Sequence, residues 1–123
     1  MPRDVDLLLE DVLDAATDAI RYADDHTSET FARLAEQDAD RFRALKNAIM
    51  ELGEAVKLLP AEMKSRNASV DWQGMAGLRD IVAHQYFRLD LVRLWPVVTE
   101  ELPELVRVVE VELMTFREAP PRP

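Results

Sequence analysis

Two side chains that together can act on a phosphate lie five positions apart in the chain, Arg79 and His84. Histidine moves protons near neutral pH, and arginine carries a permanent charge that can hold a phosphate through two parallel hydrogen bonds. Such a pair suits metal-free cleavage of a phosphodiester, in which the RNA 2′-hydroxyl attacks, histidine transfers the proton and arginine stabilises the added charge. The pair is therefore a candidate catalytic site, although the same spacing also arises on helices without any function.

The pair lies in a segment, about 72–87, that the sequence predicts to be a helix, and a helix turns about 100° per residue. Arg79 falls at the edge of the predicted core face, and His84 lies about 140° away on the opposite side. The two groups can serve one phosphate only if the arginine reaches over Ala83, or if two copies of the helix share a cleft. A shared cleft would also supply two histidines, a base and an acid, which favours a homodimer. The predicted core face of this helix consists of Met75, Leu78, Val82 and Tyr86, extended by Ile81.

Apolar residues recur at intervals of three and four along the chain, and only three glycines occur, so the predicted fold class is all-α. We expect an antiparallel four-helix bundle with additional short helices, in a single domain over 1–118 with a Pro-rich disordered tail over 119–123. Pro96 and Pro103 are expected to kink or break the last part. The predicted helices span about 3–23, 38–59, 72–87, 90–101 and 103–117, with short pieces near Ser28 and 60–66. The clearest apolar repeat is Phe42, Leu45, Ile49, Leu52, Val56 and Leu59.

The charge balance of the chain is acidic, with 24 Asp and Glu against 15 Lys and Arg. A net charge of −9 repels polyanions at long range, so an RNA substrate requires a local basic site. The absence of cysteine excludes disulfides, thiolate zinc sites and cysteine nucleophiles. The first residues are acidic where a signal peptide is apolar, and no apolar run approaches the roughly 18 residues of a membrane helix. We therefore expect a cytoplasmic protein that has no membrane contact and no metal or other cofactor.

A longer pattern surrounds the arginine and histidine. Residues 71–87, followed at 90–95 by an Asp-Leu pair and a tryptophan, resemble the signature of the HepT toxins in the HEPN superfamily, with its RxxxxHxY motif. Residues 51–57 resemble the Gly-Glu-Ala segment of that family, and residues 101–105 resemble its motif in the last helix. The resemblance covers about 38–113 in order and spacing.

The resemblance implies a homodimeric helical bundle that acts as a metal-independent endoribonuclease, the toxin of a type VII-like HEPN/MNT toxin–antitoxin module. Arg79 and His84 would be the catalytic pair. Tyr86 would be the tyrosine to which a cognate minimal-nucleotidyltransferase antitoxin attaches adenylate, and a larger toxin–antitoxin complex is then expected. Tyr86 follows Arg79 by seven residues, nearly on the same stripe, so an anionic adduct there would obstruct the arginine and repel RNA. From the residues alone, a tyrosine at the edge of the core remains the alternative.

Four further polar residues are candidate supporting groups. Asp80 precedes His84 by one turn and could orient the imidazole or raise its pKa, unless it is an exposed acid without a specific contact. Asn47, Glu51 and Glu54 lie off the apolar seam of the second long helix. They could line the same groove as the catalytic pair, but solvated helix charges explain them equally simply.

Three other side chains are expected to have structural roles only. His26, the only other histidine, falls in a predicted loop among acidic residues and is expected to be solvated. Trp72 and Trp95 are expected to be core or interface aromatics rather than stacking platforms for RNA bases.

Two other functional classes remain open. A catalytically silent HEPN module that binds a nucleotide, or partners a nucleotidyltransferase, would share the fold but is expected to lack the Arg79 and His84 pair. A purely structural dimeric bundle, or an acidic antitoxin that mimics nucleic acid, would suit the charge but leaves the ordered motif around residue 79 unexplained.

Overall fold

The computed structural model describes residues 4–84 and 90–118, and this part of the chain is helical with no strand. The all-α prediction is thus confirmed. No helix of the described residues is long and apolar enough to cross a membrane. In chain order the elements are α1 (Val5–Ala23), α2 (Ser28–Ala32), α3 (Leu34–Gln37), α4 (Ala39–Leu58), α5 (Ala61–Arg66), α6 (Trp72–His84), α7 (Leu91–Pro96), a π turn (Val97–Glu101) and α8 (Leu102–Glu118).

The four long helices form the predicted bundle. Helix α1 packs against α4 and α8, and α6 packs against α4. Arg41 at the start of α4 reaches the carbonyl of Tyr22 at the end of α1, 3.4 Å away, so these helices are antiparallel. Arg117 at the end of α8 pairs with Glu10 near the start of α1, so this second pair is antiparallel too. Helices α2, α3, α5 and α7 are the additional short pieces.

Helix starts are fixed by side chains that cap free backbone N–H groups, which explains why the predicted boundaries agree with the observed ones. Asp38 accepts a hydrogen bond from the Arg41 N–H at 3.2 Å, and α4 begins at the next residue. Asp71 accepts from the Gly74 N–H at 3.0 Å, at the start of α6. Each cap is local in sequence, so it could be recognised without knowledge of the fold.

The apolar seam of α4 lies in the core as predicted. Its six residues from Phe42 to Leu59 are all buried, and full burial of one such side chain contributes about 1.5–3 kcal/mol. On α6, Met75 and Val82 are buried, but the inclusion of Ile81 in that face was wrong, because its side chain is 45% exposed. Helix α4 is the main neighbour of α6 and covers only part of its apolar surface. The buried stripe of α6 is therefore narrower than its apolar stripe.

The regular α-helix is interrupted near Pro96 and Pro103, as the sequence predicted, but the interruption is a π turn and the helical path continues through it. The chain runs from α7 through the π turn into α8. Within the turn, the Leu102 N–H donates to the Val97 carbonyl, five residues back. The Thr99 hydroxyl donates to the Trp95 carbonyl at 2.8 Å. Proline has no backbone N–H to donate, so a regular α-helix would lack hydrogen bonds at Pro96 and Pro103. The wider π turn keeps the backbone groups between them paired.

His26 is not the solvated loop residue that the sequence suggested, since its side chain is only 17% exposed. Its Nδ1 lies 3.0 Å from the Thr30 hydroxyl, and its Nε2 lies 3.3 Å from Nη1 of Arg41. Because arginine only donates, this contact uses Nε2 of the imidazole as the acceptor. His26 thus joins the end of α1 to the start of α4, at the opposite end of α4 from Glu54.

An ion pair between α5 and α8, in which the carboxylate is partly buried, gives a prediction for the pH dependence of stability. Glu112 accepts from Arg66 at 2.7 Å and 3.2 Å and from Asn67 at 3.0 Å, and its side chain is 15% exposed. The hydrogen bonds from Arg66 lower the pKa of Glu112 below its usual 4.5. A carboxyl group with a lowered folded pKa stabilises the protein above its unfolded pKa and loses that effect as pH falls through the folded pKa.

We therefore expect Glu112→Gln to lower the free energy of unfolding by about 1–2 kcal/mol at neutral pH. The difference from wild type should shrink as pH falls from about 5 to about 3, because both chains are then uncharged at this position. Urea unfolding at a series of pH values measures the difference. A gap that stays constant over this range would show that the charge of Glu112 does not carry the effect.

Candidate functional site

Helix α6 carries the sequence-predicted site and is fixed at both sides of Arg79. Trp72 is 8% exposed, and its indole N–H donates to the Asn67 carbonyl at 2.9 Å. Met75 and Val82 are 2% and 8% exposed. Buried anchors therefore precede and follow Arg79, so the position of its backbone is set by packing. Trp72 has the core role that the sequence suggested.

Helices α4 and α6 approach each other closely at Gly53 of α4. A Cβ placed at Gly53 would lie 2.6 Å from the Cβ of Arg79, 3.0 Å from its backbone nitrogen and 3.2 Å from the Ala76 carbonyl oxygen. These distances are far below ordinary van der Waals contact, so only glycine permits this separation of the helices. The contact falls on Arg79 itself, so the candidate catalytic arginine lies where the two helices pack closely together.

The guanidinium of Arg79 is held by two carboxylates. Its Nε donates to Oε1 of Glu54 at 3.1 Å, and its Nη1 donates to Oδ1 of Asp80 at 3.1 Å. Asp80 follows Arg79 by about 100° around the helix, and residue 84 follows by about 140°. The bond to Asp80 thus draws Nη1 toward the side of α6 on which residue 84 lies.

The two ion pairs keep Arg79 charged but do not bury it. The hydrogen bond to Glu54, followed by that to Asp80, raises the pKa of Arg79 above its ordinary value. The side chains of Arg79, Glu54 and Asp80 are 39%, 57% and 65% exposed. Exposed ion pairs of this kind contribute little to stability, because water screens them. A phosphate that forms two parallel bonds can therefore displace an exposed carboxylate from this guanidinium.

An open groove of about 420 Å³ lies beside the site, between α1 and α4. Its polar lining comes from Asp11, Glu51 and Glu54, and its apolar lining from Leu8, Ala55 and Leu58. In residues 4–84 and 90–118 no group of three or more His, Asp or Glu side chains is arranged to hold a metal ion. The acidic lining repels a phosphate, so an RNA strand would have to meet Arg79 from the side of α6 rather than through this groove.

The structure brings together some of the predicted site residues and separates others. Glu54 and Asp80 both form ion pairs with Arg79. The sequence had suggested Asp80 as a group beside His84, and its observed contact is with the arginine. Asn47 donates instead to Oε1 of Glu51 at 3.1 Å, one turn from Glu54 on α4. His84, also predicted to belong to the site, lies in α6, but its side chain is outside the described part of the chain. Tyr86 is wholly outside that part.

The sequence did not single out the contact of Glu54 with Arg79 or the role of Gly53. The two helices are separated by the whole of α5, and their relative register is not a local property of either segment. One signal was present, since a glycine inside an otherwise regular helix costs roughly 0.5–1 kcal/mol relative to alanine and often marks a close approach.

Comparison with known proteins places this geometry in context. The model of the HepT-like ribonuclease family matches residues 12–112. Two Methanocaldococcus jannaschii proteins that are provisionally named RNases are similar: one is 31% identical over 109 residues, which cover 89% of this chain and 96% of the relative. The other is 32% identical over 111 residues, with 89% and 88% covered. A Thermococcus cleftensis protein named "Probable ribonuclease HepT" is 31% identical over 96 residues, with 78% and 87% covered. No solved structure matches the chain.

Proposed function

Because the chain belongs to the HepT-like ribonuclease family, we propose that it is a metal-independent endoribonuclease and the toxin of a toxin–antitoxin pair. The observation that carries the proposal is the placement of Arg79, fixed in its backbone by close packing and open to solvent at its guanidinium. Such a group can bind a phosphate without first moving the helix that bears it. His84, five residues on in α6, supplies the group that transfers protons.

In the proposed reaction the RNA 2′-hydroxyl attacks the adjacent phosphorus, and the bond from phosphorus to the 5′-oxygen breaks. His84 accepts the hydroxyl proton, and a protonated histidine donates to the leaving oxygen. Arg79 contacts the non-bridging oxygens, where negative charge grows in the transition state. One histidine cannot be base and acid in the same step, so we propose that the active form is a homodimer in which two copies of α6 meet.

Regulation is proposed to act through Tyr86. A cognate nucleotidyltransferase of the minimal type would transfer adenylate from ATP to its phenolic oxygen, which loses its proton, with release of pyrophosphate. The sequence predicts Tyr86 nearly on the same helical stripe as Arg79, and at such a position the added phosphate would compete for the guanidinium and repel RNA. The toxin would thus be switched off by a modification beside its phosphate-binding group.

The test compares the unmodified chain with chain produced alongside the candidate nucleotidyltransferase. Unmodified protein should cleave a broad RNA pool in excess chelator. Co-produced protein should gain the mass of adenylate on Tyr86 and lose cleavage, whereas Tyr86→Phe should gain no mass and keep cleaving. Gel analysis of the RNA and mass spectrometry of tryptic peptides are the measurements. Unmodified protein that leaves the RNA intact would favour the silent HEPN module instead.

A further inference from the structure

Two adjacent residues of α4, Gly53 and Glu54, together hold the candidate catalytic arginine. Gly53 lets the backbone of Arg79 approach α4, and Glu54 accepts the hydrogen bond from its Nε. We propose that Glu54 is the positioning residue for Arg79: its carboxylate fixes the guanidinium so that the far edge presents to an RNA phosphate. The inference rests on the proposed function, since it assigns a role within that reaction.

The choice of donor is what makes Glu54 a positioning group. A guanidinium has five N–H groups, and Glu54 takes the one on Nε, next to the aliphatic stem. The Nη1 and Nη2 groups form the outer edge, which can make two parallel bonds to a phosphate. A carboxylate on Nε therefore orients this edge without occupying it.

Asp80 has a different place in this arrangement. It accepts from Nη1, on the edge that a phosphate would use, and its side chain is more exposed than that of Glu54. Phosphate binding at the outer edge would therefore displace Asp80 while the bond to Glu54 is retained. Of the two carboxylates, Asp80 is the one that exchanges with substrate.

Glu51 provides a matched control within the same groove. It lies on α4 one turn before Glu54, lines the groove with it and is exposed. Its Oε1 accepts a hydrogen bond from Asn47 at 3.1 Å, whereas Oε1 of Glu54 accepts from Arg79. A general effect of negative charge in the groove should therefore appear equally on replacing either glutamate, whereas positioning of Arg79 should depend on Glu54 alone.

The kinetic experiment measures cleavage of one defined RNA by wild type, Glu54→Ala, Glu54→Gln and Glu51→Ala. Glu54→Ala should lower kcat by about ten- to a hundred-fold with a smaller change in KM, because misplacement of a catalytic group acts mainly on the transition state. Glu54→Gln should recover most of the rate, since its amide oxygen can still accept from Nε. Glu51→Ala should stay within about two-fold of wild type, as expected for an exposed charge.

A second readout does not depend on catalysis. In ¹⁵N-labelled protein the Nε–H of Arg79, assigned by comparison with Arg79→Lys, should give a resolved NMR signal with slowed exchange. The signal should be lost or exchange rapidly in Glu54→Ala and persist in Glu54→Gln and Glu51→Ala. Circular dichroism of each variant checks that the helices remain.

The outcomes separate this inference from the function on which it rests. An active wild type with an equally active Glu54→Ala overturns the positioning role alone, as does an Nε signal that is unchanged in Glu54→Ala. Faster cleavage or a lower KM in Glu54→Ala would make Glu54 a competitor of the phosphate, which also overturns the role. A wild type that cleaves no RNA overturns the proposed function, and this role falls with it, whatever the NMR signal shows.

Discussion

Arg79→Ala is expected to lower the turnover of RNA cleavage by about a hundred- to a thousand-fold, the usual cost of removing one group that stabilises transition-state charge. The fold should survive, because the Arg79 side chain is 39% exposed and exposed ion pairs contribute little to stability. His84→Ala is expected to cost a similar factor through loss of proton transfer. Single-turnover cleavage of a defined RNA, with thermal unfolding of each variant, measures both effects.

Arg21 offers the matched control for this substitution. Its side chain is 66% exposed and pairs with Asp18 at 3.1 Å on α1, so Arg21→Ala also removes a partly paired surface cation. Its net charge change is identical to that of Arg79→Ala, and it should leave turnover within about two-fold, as expected for a surface charge. Equal losses in the two variants would mean that overall charge, rather than a placed guanidinium, governs cleavage.

The same variants can report on the proposed cleft between two copies of α6. If the cleft needs the histidines of both chains, an equal mixture of refolded wild-type and His84→Ala chains should keep about a quarter of wild-type activity, because only a quarter of the dimers carry both histidines. If Arg79 instead reaches over Ala83 and each chain acts alone with its own histidine, the mixture should keep about half of wild-type activity. The retained fraction thus distinguishes the two routes.

The bundle could be predicted from the sequence because its signals are local. The seam of α4 is visible as a repeat of three and four, and the caps Asp38 and Asp71 stand next to the helices they begin. Features that depend on a neighbouring element were predicted poorly. Ile81 belongs to an apolar stripe, yet α4 does not cover it. His26 stands among acids, yet Arg41 and Thr30 from other elements pair with it.

In the candidate site, too, the local features could be predicted from the sequence, and those that depend on a neighbouring helix could not. The position of Arg79 at the edge of the core face follows from helix angles, and its side chain is partly exposed as that position implies. The identity of its partner on α4 does not follow, because Glu51 and Glu54 both lie off the apolar seam. Only the register between α4 and α6 decides that Glu54 meets the arginine, and Gly53 sets that register through a contact between backbones.

Gly53→Ala is the substitution that tests this register. Alanine is favoured over glycine within a helix by roughly 0.5–1 kcal/mol, but a Cβ here would lie 2.6 Å from the Cβ of Arg79. Overpacking of this kind costs about 1–3 kcal/mol, and neither the Cβ nor the backbone nitrogen of Arg79 can move without moving α6. The cost outweighs the gain, so we expect net destabilisation of about 1–2 kcal/mol, measured by urea unfolding at matched protein concentration.

Gly77→Ala is the control, because Gly77 lies in α6 and a Cβ there would meet no atom of the described residues within 4 Å. Only the helix preference then acts, and this variant should be about 0.5–1 kcal/mol more stable than wild type. The displaced α6 of Gly53→Ala should also carry Arg79 away from Glu54, so turnover should fall by about ten-fold or more under conditions where the variant is fully folded. If Gly53→Ala were instead stabilised to the same extent as Gly77→Ala, the two helices would not be in contact at Arg79. The packing that places the guanidinium would then have to come from elsewhere in α6.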